Sequence, residues 1–188
     1  MAPNSPVHLF VPLQFMKAMK RILILGPSGS GKSTLCERLG KRLNLPIIHL
    51  DRHYWNPGWQ ETPPDEWNQK IRDLISGDCW VMDGNYGSTL TMRSQAADSV
   101  IFIDMPRRIS YLRVFLRFLK FRGHPRPDLT EGCPEKIDRD FLEWIWYYPI
   151  THRPAILRFL KRIESRKNVI ILKGQHDIER FLASLDFE

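Results

Sequence analysis

The chain has 188 residues, of which 43% are hydrophobic and 26% are charged, values typical of one globular domain and short for two. No apolar run approaches the roughly 20 residues of a membrane-spanning helix, so an integral membrane protein is not expected. The formal net charge is +7. The three cysteines lie far apart without C-x-x-C spacing, which favours free thiols and therefore a cytoplasmic location.

The first segment, residues 1–19, contains prolines and a few apolar residues but no pattern of a helix or strand. We expect it to be a poorly ordered extension. Residues 20–188 then form a single domain.

The first predicted strand leads into a glycine-rich loop. The apolar run of residues 22–25 stops at Gly26, and the spacing from Gly26 to Ser33 is G-x-x-x-x-G-K-S. Leucines then recur every fourth residue from 35 to 43, as on one face of a helix. A strand, a glycine-rich loop and a helix are the context in which this motif binds phosphates.

Each residue type in the loop has a physical role. The glycines allow backbone N–H groups to turn inward around an anion, and the start of the helix adds the positive end of its dipole. We expect Lys32 to bind the β- and γ-phosphates and the Ser33 hydroxyl to bind Mg²⁺. ATP and Mg²⁺ are the expected cofactors. The predicted nucleotide-binding residues are Gly26, Ser28, Gly29, Ser30, Gly31, Lys32, Ser33 and Thr34.

Three further predicted strands end in carboxylates. Asp51, Asp83 and Asp104 close apolar runs near residues 45–51, 79–83 and 100–104, and a fifth run covers 169–172. Apolar strands separated by helices predict a parallel sheet covered on both faces, with ligands at the carboxyl ends of its strands.

These carboxylates have different expected roles. Asp83 is the candidate for Mg²⁺ contact, with a helix cap as the alternative. Asp51 is the candidate for accepting a proton from a substrate hydroxyl, with a turn-forming aspartate as the alternative. We expect Asp104 to be structural.

Residues near these strand ends complete the predicted acceptor side. The loop 52–59 is rich in aromatic residues, and a helix is expected to begin at Pro64 with Thr62 as its cap. Arg93 is a candidate for an anionic group of the acceptor, with a surface ion pair as the alternative. The predicted substrate residues are Asp51, Tyr54, Trp55, Asn85 and Arg93.

One segment carries the whole excess of positive charge. Residues 107–126 hold seven basic residues and no acidic residue, which equals the net charge of +7. The predicted helix 110–121 belongs to a lid insertion at about 110–150. The arginines of this segment have four interpretations: a lid over the phosphates, a nucleic-acid patch, a solvated face or a membrane-surface helix. As a lid, its catalytic residues are Arg113, Arg117, Arg122 and Arg126, acting with Lys32, Asp51 and Asp83.

Four motifs, in this order, resemble a known family. They are the glycine-rich loop, His49-Leu50-Asp51 with the aromatic loop after it, Val81-Met82-Asp83-Gly84-Asn85-Tyr86, and the region from Arg126-Pro127-Asp128 to Lys136. Together they are similar to the adenylate-kinase-like P-loop proteins called DNA topology modulation proteins. The resemblance implies a nucleoside-monophosphate-kinase-type core with strand order 2-3-1-4-5 and a lid. Asn85-Tyr86 replaces the aromatic-Pro-Arg of adenylate kinases, which argues against AMP as acceptor.

The sequence thus predicts an α/β three-layer P-loop NTPase fold with a parallel five-stranded sheet and an arginine-rich lid. The predicted function is an ATP- and Mg²⁺-dependent phosphotransferase acting on an unidentified small acceptor. The alternative is a nucleotide-binding ATPase or regulatory protein that affects DNA topology. DNA is a partner only in that alternative, and no membrane partner is expected.

Overall fold

The computed structural model describes residues 19–124, 126 and 128–185. The predicted N-terminal extension lies outside these residues except for Met19, whose side chain is buried in the core.

A parallel sheet of five strands forms the centre of the fold, and its order is β2-β5-β1-β6-β7. When only the five strands of this sheet are numbered in chain order, the order within the sheet is 2-3-1-4-5, as predicted. The pairing places Ile22 beside Val81 in β5 and beside Ser99 in β6. The strands are β1 (Arg21–Leu25), β2 (Ile47–His49), β5 (Trp80–Asp83), β6 (Ser99–Ile103) and β7 (Asn168–Leu172), and a small hairpin is formed by β3 (Trp55–Asn56) and β4 (Gln60–Glu61).

Helices cover both faces of the sheet. They are α1 (Lys32–Leu43), α2 (Leu50–Tyr54), α3 (Pro64–Ile75), α4 (Leu90–Ala96), α5 (Arg107–Phe121), α6 (Arg139–Thr151), α7 (Arg153–Ile163) and α8 (Gln175–Ser184). No helix among the described residues has the length and apolar character needed to cross a membrane.

The alternation of side chains along β1 separates two apolar cores. Ile22 and Ile24 pack with residues of α1 and α8 on one face. Leu23 and Leu25 pack with residues of α3, α6 and α7 on the other face. Each strand is apolar on both sides because both of its faces are covered, which produces the predicted three layers.

The end of the second strand and the role of Thr62 before the third helix differ from the prediction. The strand ends at His49, and Leu50 starts the short helix α2, so Asp51 lies in a first helical turn rather than at a strand end. Pro64 begins α3 as predicted, but the Thr62 hydroxyl does not cap it. It donates instead to the Tyr54 carbonyl at 2.6 Å, and so fixes the base of the β3–β4 hairpin.

Helix α5 lies directly against the glycine-rich loop. A Cβ atom on Gly29 would lie only 2.3 Å from the Ser110 carbonyl oxygen of α5, and Gly29 has a φ of +75°. Only glycine fits this close approach, because it has no side chain and tolerates the left-handed backbone.

Candidate active site

A cleft of about 830 Å³ opens at the carboxyl ends of the strands. This volume is within the range of small-molecule sites. The glycine-rich loop forms one wall, α5 and the segment 126–138 form another, and the β3–β4 hairpin closes one end.

The glycine-rich loop has the backbone that phosphate binding requires. Gly31 precedes α1 with a φ of 98°, and no side chain caps the helix, so its first N–H groups face the cleft. The Lys32 Nζ donates to the Pro27 carbonyl at 2.9 Å. Burial lowers the pKa of Lys32, and the charges of Asp83 and Asp51 oppose that shift.

Ser33, Asp83 and His49 form a connected chain of polar groups. The Ser33 hydroxyl donates to Asp83 Oδ2 at 2.7 Å, and His49 Nδ1 lies 2.8 Å from Asp83 Oδ1. A hydroxyl and a carboxylate at the start of a phosphate-binding helix are oxygen ligands of the kind that Mg²⁺ prefers. The two residues predicted to bind the metal therefore lie together and fit that ion.

The sulfur of Cys36 also lies near this chain. Its Sγ, the ring of His49 and the carboxylate of Asp83 place ligand atoms within 4.8 Å of one another. Burial raises the pKa of the Cys36 thiol well above its usual range, and the thiol donates to the Val81 carbonyl. Metal binding at this cluster would require the loss of the thiol proton and of this hydrogen bond.

Asp51 lines the same cleft. Tyr86 donates its hydroxyl to Asp51 Oδ1 at 2.7 Å, and Arg126 Nη2 lies 3.9 Å from Asp51 Oδ2. The Asp51 side chain is 42% exposed. The walls of the cleft surround this carboxylate, and the resulting desolvation raises the pKa of Asp51. The hydrogen bond from Tyr86 partly opposes this shift.

Asn85 and Arg93 differ in how they relate to the cleft. Asn85 lines the cleft, and its amide also exchanges two hydrogen bonds with the backbone of Gly26. Arg93 is fully buried and donates to the carbonyls of Gly84, Asn85 and Tyr86. The prediction that Arg93 contacts an acceptor therefore needs correction: it holds the backbone after β5 in shape, and burial lowers its pKa to about 10.

Three of the four predicted lid arginines line the cleft. Arg113 donates to the Ser30 carbonyl at 3.3 Å and to Gln175 Oε1 at 2.9 Å, which connects α5 to the glycine-rich loop and to α8. Arg117 and Arg126 also line it. Arg122 does not: it is exposed at the end of α5, so its predicted catalytic role has no structural support.

A buried carboxylate joins the other two arginines. Glu135 accepts a hydrogen bond from Arg117 Nε at 2.9 Å and lies 2.7 Å from Arg126 Nε, with only 2% of its side chain exposed. Arg126 also contacts Asp128 at 3.3 Å. These contacts fix both arginines in the wall of the cleft.

The aromatic loop divides into a buried part and a cleft-lining part. Tyr54 packs against Trp67 and Tyr86, with ring centroids 5.0 and 4.5 Å away, and does not line the cleft. It therefore supports the site and does not face a substrate. Trp55 and Trp59 do line the cleft.

Sequence reasoning placed Trp59 on the acceptor side with Tyr54 and Trp55, but it gave no role to three other residues that line the cleft, His49, Tyr86 and Glu135. His49 and Tyr86 stand in the motifs quoted above, next to predicted residues, which was a usable signal. Glu135 is separated from Arg117 by 18 residues, and only the folded chain brings the two together.

No protein-family model matches the chain. A curated relative, the uncharacterized protein YqaC of Bacillus subtilis, is 31% identical over 134 residues, which cover 69% of this chain and 72% of YqaC. The cytidylate kinase of Nitratidesulfovibrio vulgaris is 28% identical over 126 residues, and the chain spans only 54% of its length.

Among solved structures, the shikimate kinase of Bacteroides thetaiotaomicron superposes with a TM-score of 0.51 at 17% identity, covering 89% of this chain and 97% of that one. At this identity the superposition shows the fold alone, which is that of the P-loop kinases. The identity and coverage of the Bacillus relative show more: this chain belongs to the same family as YqaC.

Proposed function

We propose that this protein is an ATP- and Mg²⁺-dependent phosphotransferase that acts on a small acceptor. The observation that carries the proposal is the convergence of Lys32, Asp83 and Asp51 in one cleft. A kinase of this fold needs a phosphate cradle, a metal-binding carboxylate and a group that orients the acceptor, and these three residues supply one each.

The triphosphate end of the site has a clear division of roles. The N–H groups of the glycine-rich loop and the start of α1 bind the phosphates, and Lys32 supplies a full positive charge. Ser33 and Asp83 would hold Mg²⁺, which neutralises phosphate charge when it is bound. Arg113 and Arg117 extend from α5 into the same cleft and stabilise the charge of the transferring group.

Asp51 serves the acceptor. Its carboxylate, held by the Tyr86 hydroxyl, accepts the proton of an acceptor hydroxyl as the oxygen attacks the γ-phosphorus. The bond to the β–γ bridging oxygen breaks as the new P–O bond forms, and ADP leaves. The cytidylate kinase relative supports a phosphotransferase but covers too little of the sequence to name this acceptor.

The experiment that tests the proposal measures ATP consumption with Mg²⁺ across a panel of small acceptors. Lys32→Ala removes the phosphate-binding charge and should abolish acceptor-dependent turnover. Lys41→Ala is a matched control, because Lys41 is an exposed residue in the last turn of the same helix. Full turnover in the Lys32→Ala protein would refute the proposal.

The DNA-related alternative has less support. Arg113 and Arg117 bond to groups inside the cleft. The outer face of α5 carries the exposed leucines Leu112, Leu116 and Leu119, so its exposed cations, Arg108 and Lys120, are interspersed with apolar side chains. A backbone-binding patch needs outward cations. The link to DNA topology and the cytoplasmic location both stay predictions from the sequence.

A further inference from the structure

One residue of the cleft has an unexpected backbone conformation. Trp59 has a φ of 62° in the short loop between β3 and β4. The left-handed position of such loops is normally taken by glycine or asparagine, because a larger side chain clashes with its own backbone there. Strain of this kind collects at functional sites, where the surrounding structure holds it in place.

The surroundings of Trp59 do hold it. Its indole Nε1 donates to the Pro134 carbonyl at 3.1 Å, and the Gly58 N–H donates to the Gly132 carbonyl at 3.0 Å. Lys136 Nζ lies 5.1 Å from the ring centroid. The hairpin is thus joined to the segment that carries Glu135, and the indole is fixed at the end of the cleft.

Trp59 is part of an aromatic platform. The Trp55 ring lies 5.3 Å from the Trp59 ring, with a 70° angle between their planes, and both rings line the cleft that contains Asp51. Fixed aromatic faces bind the flat or C–H-rich faces of rings and lose little conformational entropy on binding. They do not bind phosphates.

The arginine that contacts Asp51 is already engaged. Arg126, 3.9 Å from Asp51, also contacts Asp128 and the buried Glu135. An acceptor phosphate that recruited Arg126 would weaken its contact with a carboxylate whose side chain is only 2% exposed, which is costly. Arg93 is buried among backbone carbonyls.

We propose that the acceptor is a ring-bearing alcohol without a phosphate group, such as a sugar or a nucleoside, whose ring packs on Trp55 and Trp59 and whose hydroxyl faces Asp51. Trp59 is a specificity-determining residue for this acceptor. This inference rests on the proposed phosphotransferase function and adds the chemical class of its second substrate.

The test uses matched pairs of compounds: nucleosides against their 5′-monophosphates, and monosaccharides against their sugar phosphates. Binding of each compound to the full chain is measured by calorimetry with ADP and Mg²⁺ present. We expect at least one alcohol to bind at least tenfold more tightly than its own phosphate ester. The nucleoside and sugar arms show which ring the platform accepts.

Three variants test the residue. Trp59→Phe should bind the alcohol within about threefold of wild type, because it keeps an aromatic face. Trp59→Gly, which removes the ring and also relieves the backbone strain, should lose at least tenfold. Trp146→Ala is the control, because Trp146 is 39% exposed and contacts Arg107 and Tyr111 outside the cleft.

Three results would overturn the inference: tighter binding of the phosphate ester, unchanged affinity in Trp59→Gly, or no binding of any ring alcohol while ADP binds normally. If ADP itself does not bind, the proposed phosphotransferase function fails together with the inference.

Discussion

At the scale of single residues, the proposed catalytic role of Asp51 comes with an energetic cost. Burial raises its pKa above the ordinary carboxyl value, while Tyr86, Arg126 and Lys32 lower it and Asp83 raises it further. A carboxyl group whose pKa is higher in the folded than in the unfolded state stabilises the fold at pH values below the unfolded-state pKa. This contribution is lost as the pH rises through the folded-state pKa. At neutral pH the ionised Asp51 therefore destabilises the fold, but only slightly, because its side chain is 42% exposed and solvent screens its charge.

Asp51→Asn should separate the two effects. The amide cannot accept the acceptor's proton, so transfer should fall about 100-fold or more. The melting temperature at pH 7 should equal or exceed that of wild type, and any gain should shrink toward pH 4. In wild type, the acid limb of the kcat profile should lie above the ordinary carboxyl pKa of about 4.

Thermal unfolding across pH and steady-state kinetics on the same preparations check this prediction. A variant that is clearly less stable than wild type at pH 7 would show that Asp51 is structural.

The backbone geometry of the glycine-rich loop could be predicted from the sequence because the local spacing of its glycines encodes it. The structural role of Arg93 could not be predicted in the same way. Nothing in its neighbourhood in the sequence distinguishes an arginine facing a substrate from one that satisfies the carbonyls of a buried turn. The engagement of Arg126 by Glu135 also depends on a loop whose path the sequence does not show.

At the scale of elements, Glu135 connects α5 to the segment that follows it. One carboxylate serves Arg117 from the helix and Arg126 from the loop. Glu135→Gln removes the carboxylate partner of Arg117 in a buried place and leaves Arg126 with only its contacts to Asp128 and Asp51. We expect a loss of about 3 kcal/mol in the free energy of unfolding, together with weaker transfer.

The control for this prediction is Glu143→Gln, since Glu143 pairs with Arg139 at 2.7 Å on an exposed surface. That change should cost less than about 1 kcal/mol. Denaturant unfolding of both variants measures the difference, and equal losses would contradict the assigned role of Glu135.

The contact between α5 and the glycine-rich loop gives a second prediction at this scale. Gly29→Ala places a methyl group 2.3 Å from the Ser110 carbonyl in a left-handed backbone. We expect a loss of about 2–4 kcal/mol in unfolding free energy, because α5 or the loop must move. Nucleotide affinity should fall as well.

Gly87→Ala is the matched control, because no heavy atom lies within 4 Å of a Cβ built there. Its unfolding free energy should stay within about 1 kcal/mol of wild type. Chemical denaturation and nucleotide titration test both variants; a Gly29→Ala protein as stable as Gly87→Ala would contradict the close packing.

The long helices and strands could be predicted from the hydrophobic periodicity of the sequence, whereas α2 and the β3–β4 hairpin could not. A five-residue helix and two-residue strands are too short to show a pattern. Tertiary contacts stabilise them instead: the Thr62 hydroxyl on the Tyr54 carbonyl, and the hairpin on residues 132–134.

At the scale of the whole molecule, the sheet brings distant parts of the sequence to one edge. Ser33 and Asp83 are 50 residues apart, and Asp51 and Tyr86 are 35 apart, yet each pair is joined by a 2.7 Å hydrogen bond. The parallel sheet could be predicted from apolar strands separated by helices, and its strand order from the resemblance of four motifs to a known family. The chemical class of the acceptor could not be predicted, because short loops build the pocket that would hold it.

Transfer of labelled γ-phosphate from ATP, in the presence of Mg²⁺, to a panel of ring alcohols and their phosphate esters tests the central claim most directly. We predict a labelled product from one alcohol with wild type and with Lys41→Ala, and none with Lys32→Ala. No labelled product from any acceptor, or equal product from Lys32→Ala, would contradict the assignment of this cleft to phosphoryl transfer.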